Sequence, residues 1–238
     1  MGTIVSLVIG RGGSSFKRKN IRLVNGFPLV QWSCAAAKRS SFIDHYYCSS
    51  DDREILMACE SVGFKPLVRP DILSTDSAQS CDVVKSALAA IESDLGVEVS
   101  ILVLQHANVG TITERMIDEC ILCLINSPTA TAVVPAHEKN EYHPARSKFV
   151  DDDGFLIQAL EGDYSANRQE LPVALFFDHS FWVLTGDSAR NNSGQLPWPC
   201  MGNKIIPYVT NGCFDVHDEE DLLKTEKWLI DHNVQDPL

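Results

Sequence analysis

A β-rich apolar run, Thr3-Ile4-Val5-Ser6-Leu7-Val8-Ile9, stops at Gly10 and gives way to Arg11-Gly12-Gly13-Ser14-Ser15-Phe16-Lys17-Arg18-Lys19-Asn20. A parallel-sheet protein builds a polyphosphate cradle in this way. Glycines let backbone N–H groups approach phosphate oxygens, and the Arg and Lys side chains neutralise them. Downstream, strand-like apolar runs at 3–9, 43–49, 65–68, 99–104, 130–135 and 181–184 alternate with helical patterns at 27–40, 52–62, 80–93, 112–124 and 218–232. That alternation predicts a single α/β domain over residues 1–238, a mostly parallel twisted sheet flanked by helices with right-handed crossovers. Ligands of such sheets bind beyond the carboxyl ends of the strands, where the Arg11 loop lies.

The chain as a whole is acidic, with a net charge of −12 and a pI near 4.9. A cationic loop on an anionic body is a local device, aimed at a small polyanion and not at DNA or RNA. The loop contains neither G-x-x-x-x-G-K-[ST] nor G-x-G-x-x-G, so neither of the two commonest phosphate motifs explains it. No stretch approaches the ~18 apolar residues of a membrane span, and the N-terminus lacks the pattern of a signal peptide, so a soluble cytoplasmic protein is expected. The eight cysteines are scattered, and thiols in that compartment stay reduced; no disulfide framework is expected. Cys120 and Cys123 form a C-x-x-C inside an amphipathic helical pattern with no second pair nearby, which reads as helix packing, without metal.

The loop resembles the signature of the acylneuraminate cytidylyltransferases, the CMP-sialic acid synthetases, whose first strand leads into A-R-G-G-S-K-G followed by K-N. Further resemblances come in order: Asn25-Gly26-Phe27-Pro28-Leu29-Val30-Gln31-Trp32, Ser49-Ser50-Asp51-Asp52-Arg53-Glu54-Ile55, Arg69-Pro70-Asp71-Ile72-Leu73-Ser74-Thr75-Asp76, Leu104-Gln105 and Arg168-Gln169-Glu170-Leu171-Pro172. Several ordered motifs over nearly the whole chain carry far more weight than one loop. The resemblance implies a Rossmann-like, GT-A-like nucleotidyltransferase fold. It also implies transfer of CMP from CTP to the anomeric hydroxyl of a nonulosonic acid, with Mg²⁺ as cofactor and a homodimer as the working form. Residues 138–180, which interrupt the strand–helix rhythm, correspond to the family's dimerisation and acceptor-site insertion.

By correspondence with the family, CTP is expected to meet Arg11, Gly12, Gly13, Ser14, Lys19, Asn20, Arg69, Ala78 and Ser80. Arg11, Lys19, Asn20 and Asp215 are the expected catalytic residues, and Asp215 the metal ligand. Gln105, Asn108, Arg146 and Arg168 are the expected contacts to the sugar acid, an arginine pairing with its carboxylate. Both substrates are anions, so such a reaction runs on positioning and charge neutralisation. Two neighbouring groups have plainer readings: Asp51 and Asp52 cap the helix that follows, and Lys17, Arg18 and Arg22 keep a loop solvated.

The acceptor half departs from the family pattern. Where relatives often carry L-Q-P-T-S-P-L-R-T, this chain has Leu104-Gln105-His106-Ala107-Asn108-Val109-Gly110-Thr111, leaving His106 and Asn108 as candidate substitutes. The Asn-Gly expected after R-Q-x-L-P is Asp178-His179. The terminal x-I-D-I-D metal motif is Cys213-Phe214-Asp215-Val216-His217-Asp218, in which strand alternation pairs Asp215 with His217. Another nucleotidyltransferase activity and a non-catalytic sugar-nucleotide binder therefore stay open at the level of sequence.

Overall fold

The computed structural model describes residues 2–13, 16–234 and 236–237. Its strands, in chain order, are β1 (Thr3–Ile9), β2 (Leu23–Val24), β3 (Phe27–Pro28), β4 (His45–Ser50), β5 (Lys65–Val68), β6 (Val99–His106), β7 (Ala132–Glu138), β8 (Lys148–Val150), β9 (Leu156–Gln158), β10 (Leu175–Phe177), β11 (Phe181–Thr185) and β12 (Ile205–Val209). The helices are α1 (Leu29–Arg39), α2 (Arg53–Glu60), α3 (Ser80–Leu95), α4 (Glu114–Ile125), α5 (Gly186–Asn191) and α6 (Glu219–Asp231).

Eight strands form the main sheet in the order β10-β7-β11-β6-β1-β4-β5, with β12 added to β7. The β6-β1-β4-β5 half is parallel, while β11 runs antiparallel between β6 and β7. Alternation along β1 divides the core. Ile4 and Val8 pack with α1, α2 and α4 residues such as Cys34, Ile55 and Ile117, whereas Val5, Leu7 and Ile9 pack with Val84, Leu88 and Ile91 of α3. A strand covered on both faces can be apolar along most of its length, which is why residues 3–9 are mostly apolar. Local signals fix the helix ends: Asp52 accepts from the amides of Glu54 and Ile55 to start α2, and Gly96, at φ 69°, ends α3 in a left-handed turn.

Each of the six strand and five helix candidates coincides with an observed element. Three further elements of the sheet region lay outside that reading. β12 contains Pro207, which marks an edge strand, and β10 and α5 are only three and six residues long. Two expectations need correction. Cys81 and Cys200, 119 residues apart, are joined as a disulfide, because the α3 N-terminus packs against the 199–201 turn; nothing in their spacing announces that contact. Residues 213–217 are not a strand, so the alternation invoked for Asp215 and His217 does not apply. Cys120 and Cys123 are free thiols on α4.

Residues 138–180 leave the sheet after β7, form the β8–β9 hairpin and return as β10 against β7. The hairpin exposes Phe149, Val150, Phe155 and Leu156.

Candidate functional site

A cleft of about 290 Å³ opens at the carboxyl ends of β1, β5 and β6, near the lower limit of small-molecule pockets, about 300–1,000 Å³. Gly10, Arg11 and Gly13 reach it from the loop after β1, Lys19 and Asn20 from the turn that follows, and Arg69 from the end of β5. Ala78 and Ser80 line it at the start of α3, and His106 and Asn108 after β6.

The loop after β1 is tightly fitted. A Cβ on Gly10 would stand 2.7 Å from the Ala107 Cβ, so the sequence has no alternative to glycine there. Gly12 donates its N–H to Asp51 at 3.1 Å, and a Cβ would meet Asp52 Oδ2 at 2.7 Å. The glycine expected to meet CTP is therefore turned to these two aspartates and does not line the cleft. Asp52 caps α2 as expected. Ser14 lies outside the described residues. Arg11 pairs with Asp76 at 2.6 Å, and Asp76 is 97% exposed. An exposed pair of this kind contributes little stability, so the guanidinium can exchange its partner at small cost.

Asn20 is buried, and its Nδ2 donates to the Arg11 carbonyl at 3.0 Å, while its Oδ1 has no hydrogen-bond partner. Lys19 donates to the Val216 carbonyl at 3.1 Å, tying the loop to a segment 197 residues away. Burial lowers the proton affinity of this ammonium and neighbouring Asp215 opposes that; Arg11 lowers it further. Arg69 is buried, donates through Nη2 to the Ser49 carbonyl at 2.8 Å and leaves Nε without a partner. Burial also lowers its proton affinity, but an arginine stays charged. Asn20 and Arg69 thus each bring a buried polar atom without a partner to one cleft, an arrangement that native proteins rarely leave unsatisfied.

On the opposite side, Asn108 Nδ2 donates to Asp215 Oδ1, the Val216 amide donates to the Asn108 carbonyl at 3.1 Å, and His217 Nε2 lies 3.2 Å from Asp215 Oδ2. Asp215 and His217 are therefore neighbours through a loop bend. Asp218 caps α6. Among the described residues no group of three or more His, Cys, Asp or Glu converges as a metal centre. The donor chemistry still fits Mg²⁺, which takes oxygen ligands, keeps several waters and commonly uses one or two carboxylates with substrate phosphates. His217 is a poor ligand for that ion.

Three expected sugar contacts lie elsewhere. Gln105 is fully buried: its Oε1 accepts from Ser6 Oγ at 2.7 Å and its Nε2 donates to the Ser33 carbonyl at 2.6 Å. Strand alternation sends it into the core and its neighbour His106 toward the cleft. Arg146 and Arg168 are exposed on the 138–180 excursion and do not line the cleft, Arg168 bordering a separate hollow with Glu138 and Glu141. Sequence reasoning also missed a partly buried network in which Asp178 meets His137 Nδ1 at 2.5 Å and accepts from Thr210 Oγ1. The contacts join residues 32 and 41 positions apart, and no local spacing reveals them.

Residues 5–172 match the cytidylyltransferase family. The chain is 23% identical over 239 residues to the post-translational flagellin modification protein B of Campylobacter coli, covering 99% of this chain and 98% of that protein. A pseudaminic acid cytidylyltransferase of Campylobacter jejuni subsp. jejuni serotype O:2 is 30% identical over 165 residues, 68% of this chain and 60% of that protein. Among solved structures, a CMP:2-keto-3-deoxy-manno-octonic acid synthetase complexed with CTP shares the fold, with a TM-score of 0.72 at 16% identity, over 97% of this chain and 99% of that one. The matched segment holds every cleft residue from Gly10 to Asn108: the chain belongs to the cytidylyltransferase family and is a nucleotidyltransferase.

Proposed function

We propose that this enzyme transfers CMP from CTP to the anomeric hydroxyl of a nonulosonic acid. The observation that carries the reading is the convergence of Arg11, Lys19 and Arg69 on one cleft at the carboxyl ends of β1 and β5 in a strongly acidic protein. Arg11, the Gly13 backbone and Lys19 take the triphosphate, Arg11 exchanging exposed Asp76 for phosphate oxygens. Cytosine and ribose lie between Arg69, Ala78 and Ser80. The free Oδ1 of Asn20 is an acceptor and cannot bond a fully ionised phosphate, so it takes a ribose hydroxyl.

The sugar's anomeric oxygen attacks the α-phosphorus, a new C–O–P bond forms, the α–β bridging bond breaks and pyrophosphate leaves with its electron pair. The hydroxyl proton passes to water. Arg11 and Lys19 offset the charge on the departing pyrophosphate, and Asn108 orients Asp215. Asp215, with phosphate oxygens, would hold Mg²⁺, which supplies charge neutralisation when bound. Pseudaminic acid is the first acceptor to test, since a relative named for it shares 30% identity over 165 residues. The exposed apolar hairpin supports a homodimer, in which Arg146 or Arg168 serves the neighbouring subunit's acceptor. Light scattering tests this against the 26.3 kDa chain mass; a monomer with full turnover removes the dimer from the mechanism.

The function itself is tested by mixing the protein with CTP, Mg²⁺ and pseudaminic acid, N-acetylneuraminate or 3-deoxy-manno-octulosonate, and following pyrophosphate. Release that depends on one of these acids is the expected result. Release with none of them, from protein that binds CTP, overturns the acceptor class.

A further inference from the structure

The end of β6 places two polar residues side by side with opposite fates. Gln105 is spent inside the core, while His106 lines the cleft. Its ring sits edge-on to Trp182 with centroids 5.0 Å apart, and His179 stands 6.2 Å away. Trp198 backs both, at 5.1 Å from His179 and 5.8 Å from Trp182. The His106 ring is thus braced by an aromatic wall and has little freedom to turn.

The backbone of Ser180 and His179 acts on this ring in the sense that raises its basicity. Nδ1 is buried without a hydrogen-bond partner. In the tautomer that carries the proton on Nε2, Nδ1 presents a lone pair and is an acceptor. Burial and the neighbouring His179 push the imidazole's pKa down to about 3, so the ring is neutral. A neutral acceptor does not recruit a carboxylate or a phosphate. It waits for a donor.

Position decides which ligand supplies that donor. In the sheet order β11-β6-β1-β4-β5, Arg69 and α3 border the cleft beyond β4, and the phosphate-binding loop follows β1 in the middle. His106 ends β6, on the far side of the phosphates from the base and two residues before Asn108, which holds Asp215.

Resting on the proposed transfer to a sugar acid, we infer that His106 carries its proton on Nε2 and determines acceptor specificity, its Nδ1 receiving a hydrogen bond from an O–H or N–H of the acceptor. A site built around such a buried polar atom rejects an analogue that lacks the donor, because the atom is then left unpaired. The aromatic wall of Trp182, His179 and Trp198 keeps the ring in register for that contact.

The test compares His106→Phe, which keeps the ring and deletes the acceptor, with His106→Asn, whose Oδ1 stands near the position of Nδ1. Acceptor KM and kcat are measured with pseudaminic acid, and CTP affinity by calorimetry without acceptor. His106→Phe should raise the acceptor KM at least about tenfold while kcat changes less than about threefold, the split expected of a binding contact. CTP affinity should be unchanged, and His106→Asn should recover most of the loss. Weakened CTP binding with an unchanged acceptor KM would make His106 a nucleotide contact. Equal loss in both variants with a lowered Tm would make it a core residue; either result overturns the inference. If the wild type releases pyrophosphate with no acid, the functional reading fails first and takes this inference with it.

Discussion

The two walls of the cleft are built from different physics. The proposed nucleotide wall is cationic and local: Arg11, Lys19, Asn20, Arg69, Ala78 and Ser80 lie within the first 80 residues and sit on the loops that follow β1 and β5 or open α3. The proposed acceptor wall is aromatic and is assembled from distant segments. His106 meets Trp182 and His179, Trp198 backs them, and Asn108 reaches Asp215 across 107 residues. A polyphosphate is recognised by charge and by backbone that can approach closely, which a short glycine-rich loop supplies. A sugar acid is recognised by individually placed hydrogen-bonding groups, and these need rigid support from elsewhere in the fold. The first wall suits a triphosphate common to many enzymes; the second can change with the acceptor.

The largest expected effect falls on the cationic wall. Arg11→Ala removes one charge-assisted contact to the triphosphate and should cost roughly 1.5–3 kcal/mol, a weakening of CTP binding by about 10- to 150-fold. Folding should be unaffected, since the ion pair lost to Asp76 is an exposed one. Calorimetry at fixed Mg²⁺ reads the difference.

A smaller effect is expected at the join between the walls. Asp215→Asn should lower turnover by at least about tenfold, on the order of 1.4 kcal/mol in the barrier. Raised Mg²⁺, or Mn²⁺, should restore part of it, while His217→Ala costs less. Full activity in Asp215→Asn together with loss in His217→Ala would reverse the roles given to this pair.

The smallest is a stability effect of the acceptor wall. Above pH 6.5 His106 is neutral whether the chain is folded or not and contributes no pH dependence. Below 6.5 the unfolded histidine gains a proton that the folded one refuses until about pH 3, so stability falls with pH across that window. The slope is at most about 1.4 kcal/mol per pH unit. Between pH 7 and 5.5 the wild-type Tm should therefore drop by about 2–4 °C more than that of His106→Asn. Parallel curves for the two proteins would mean that the ring is more hydrated than its burial indicates.

The same contrast explains what could be read from the sequence. Apolar runs such as residues 3–9 and 99–104 located the central strands β1 and β6, helical patterns between such runs located the helices, and Asp52 announced its cap. The cleft's first wall was legible because Arg11, Lys19, Arg69 and Ser80 lie in short motifs whose loops take their shape from nearby residues. The second wall was not. Gln105 and His106 differ by one step of strand alternation, and only the placement of β6 decides which of them faces the core. The Asp178–His137 contact and the Cys81–Cys200 bond depend on how distant elements pack, and the bend at 213–217 replaces the strand that a motif comparison suggested. Arg146 and Arg168 sit on an excursion whose relation to the cleft depends on a second subunit in the proposed assembly.

Equilibrium titration of CTP, without acceptor, into wild type, Arg11→Ala and His106→Phe tests the division of the cleft most directly. The division predicts strongly weakened binding in Arg11→Ala and wild-type affinity in His106→Phe. Wild-type affinity in Arg11→Ala combined with lost binding in His106→Phe would contradict it.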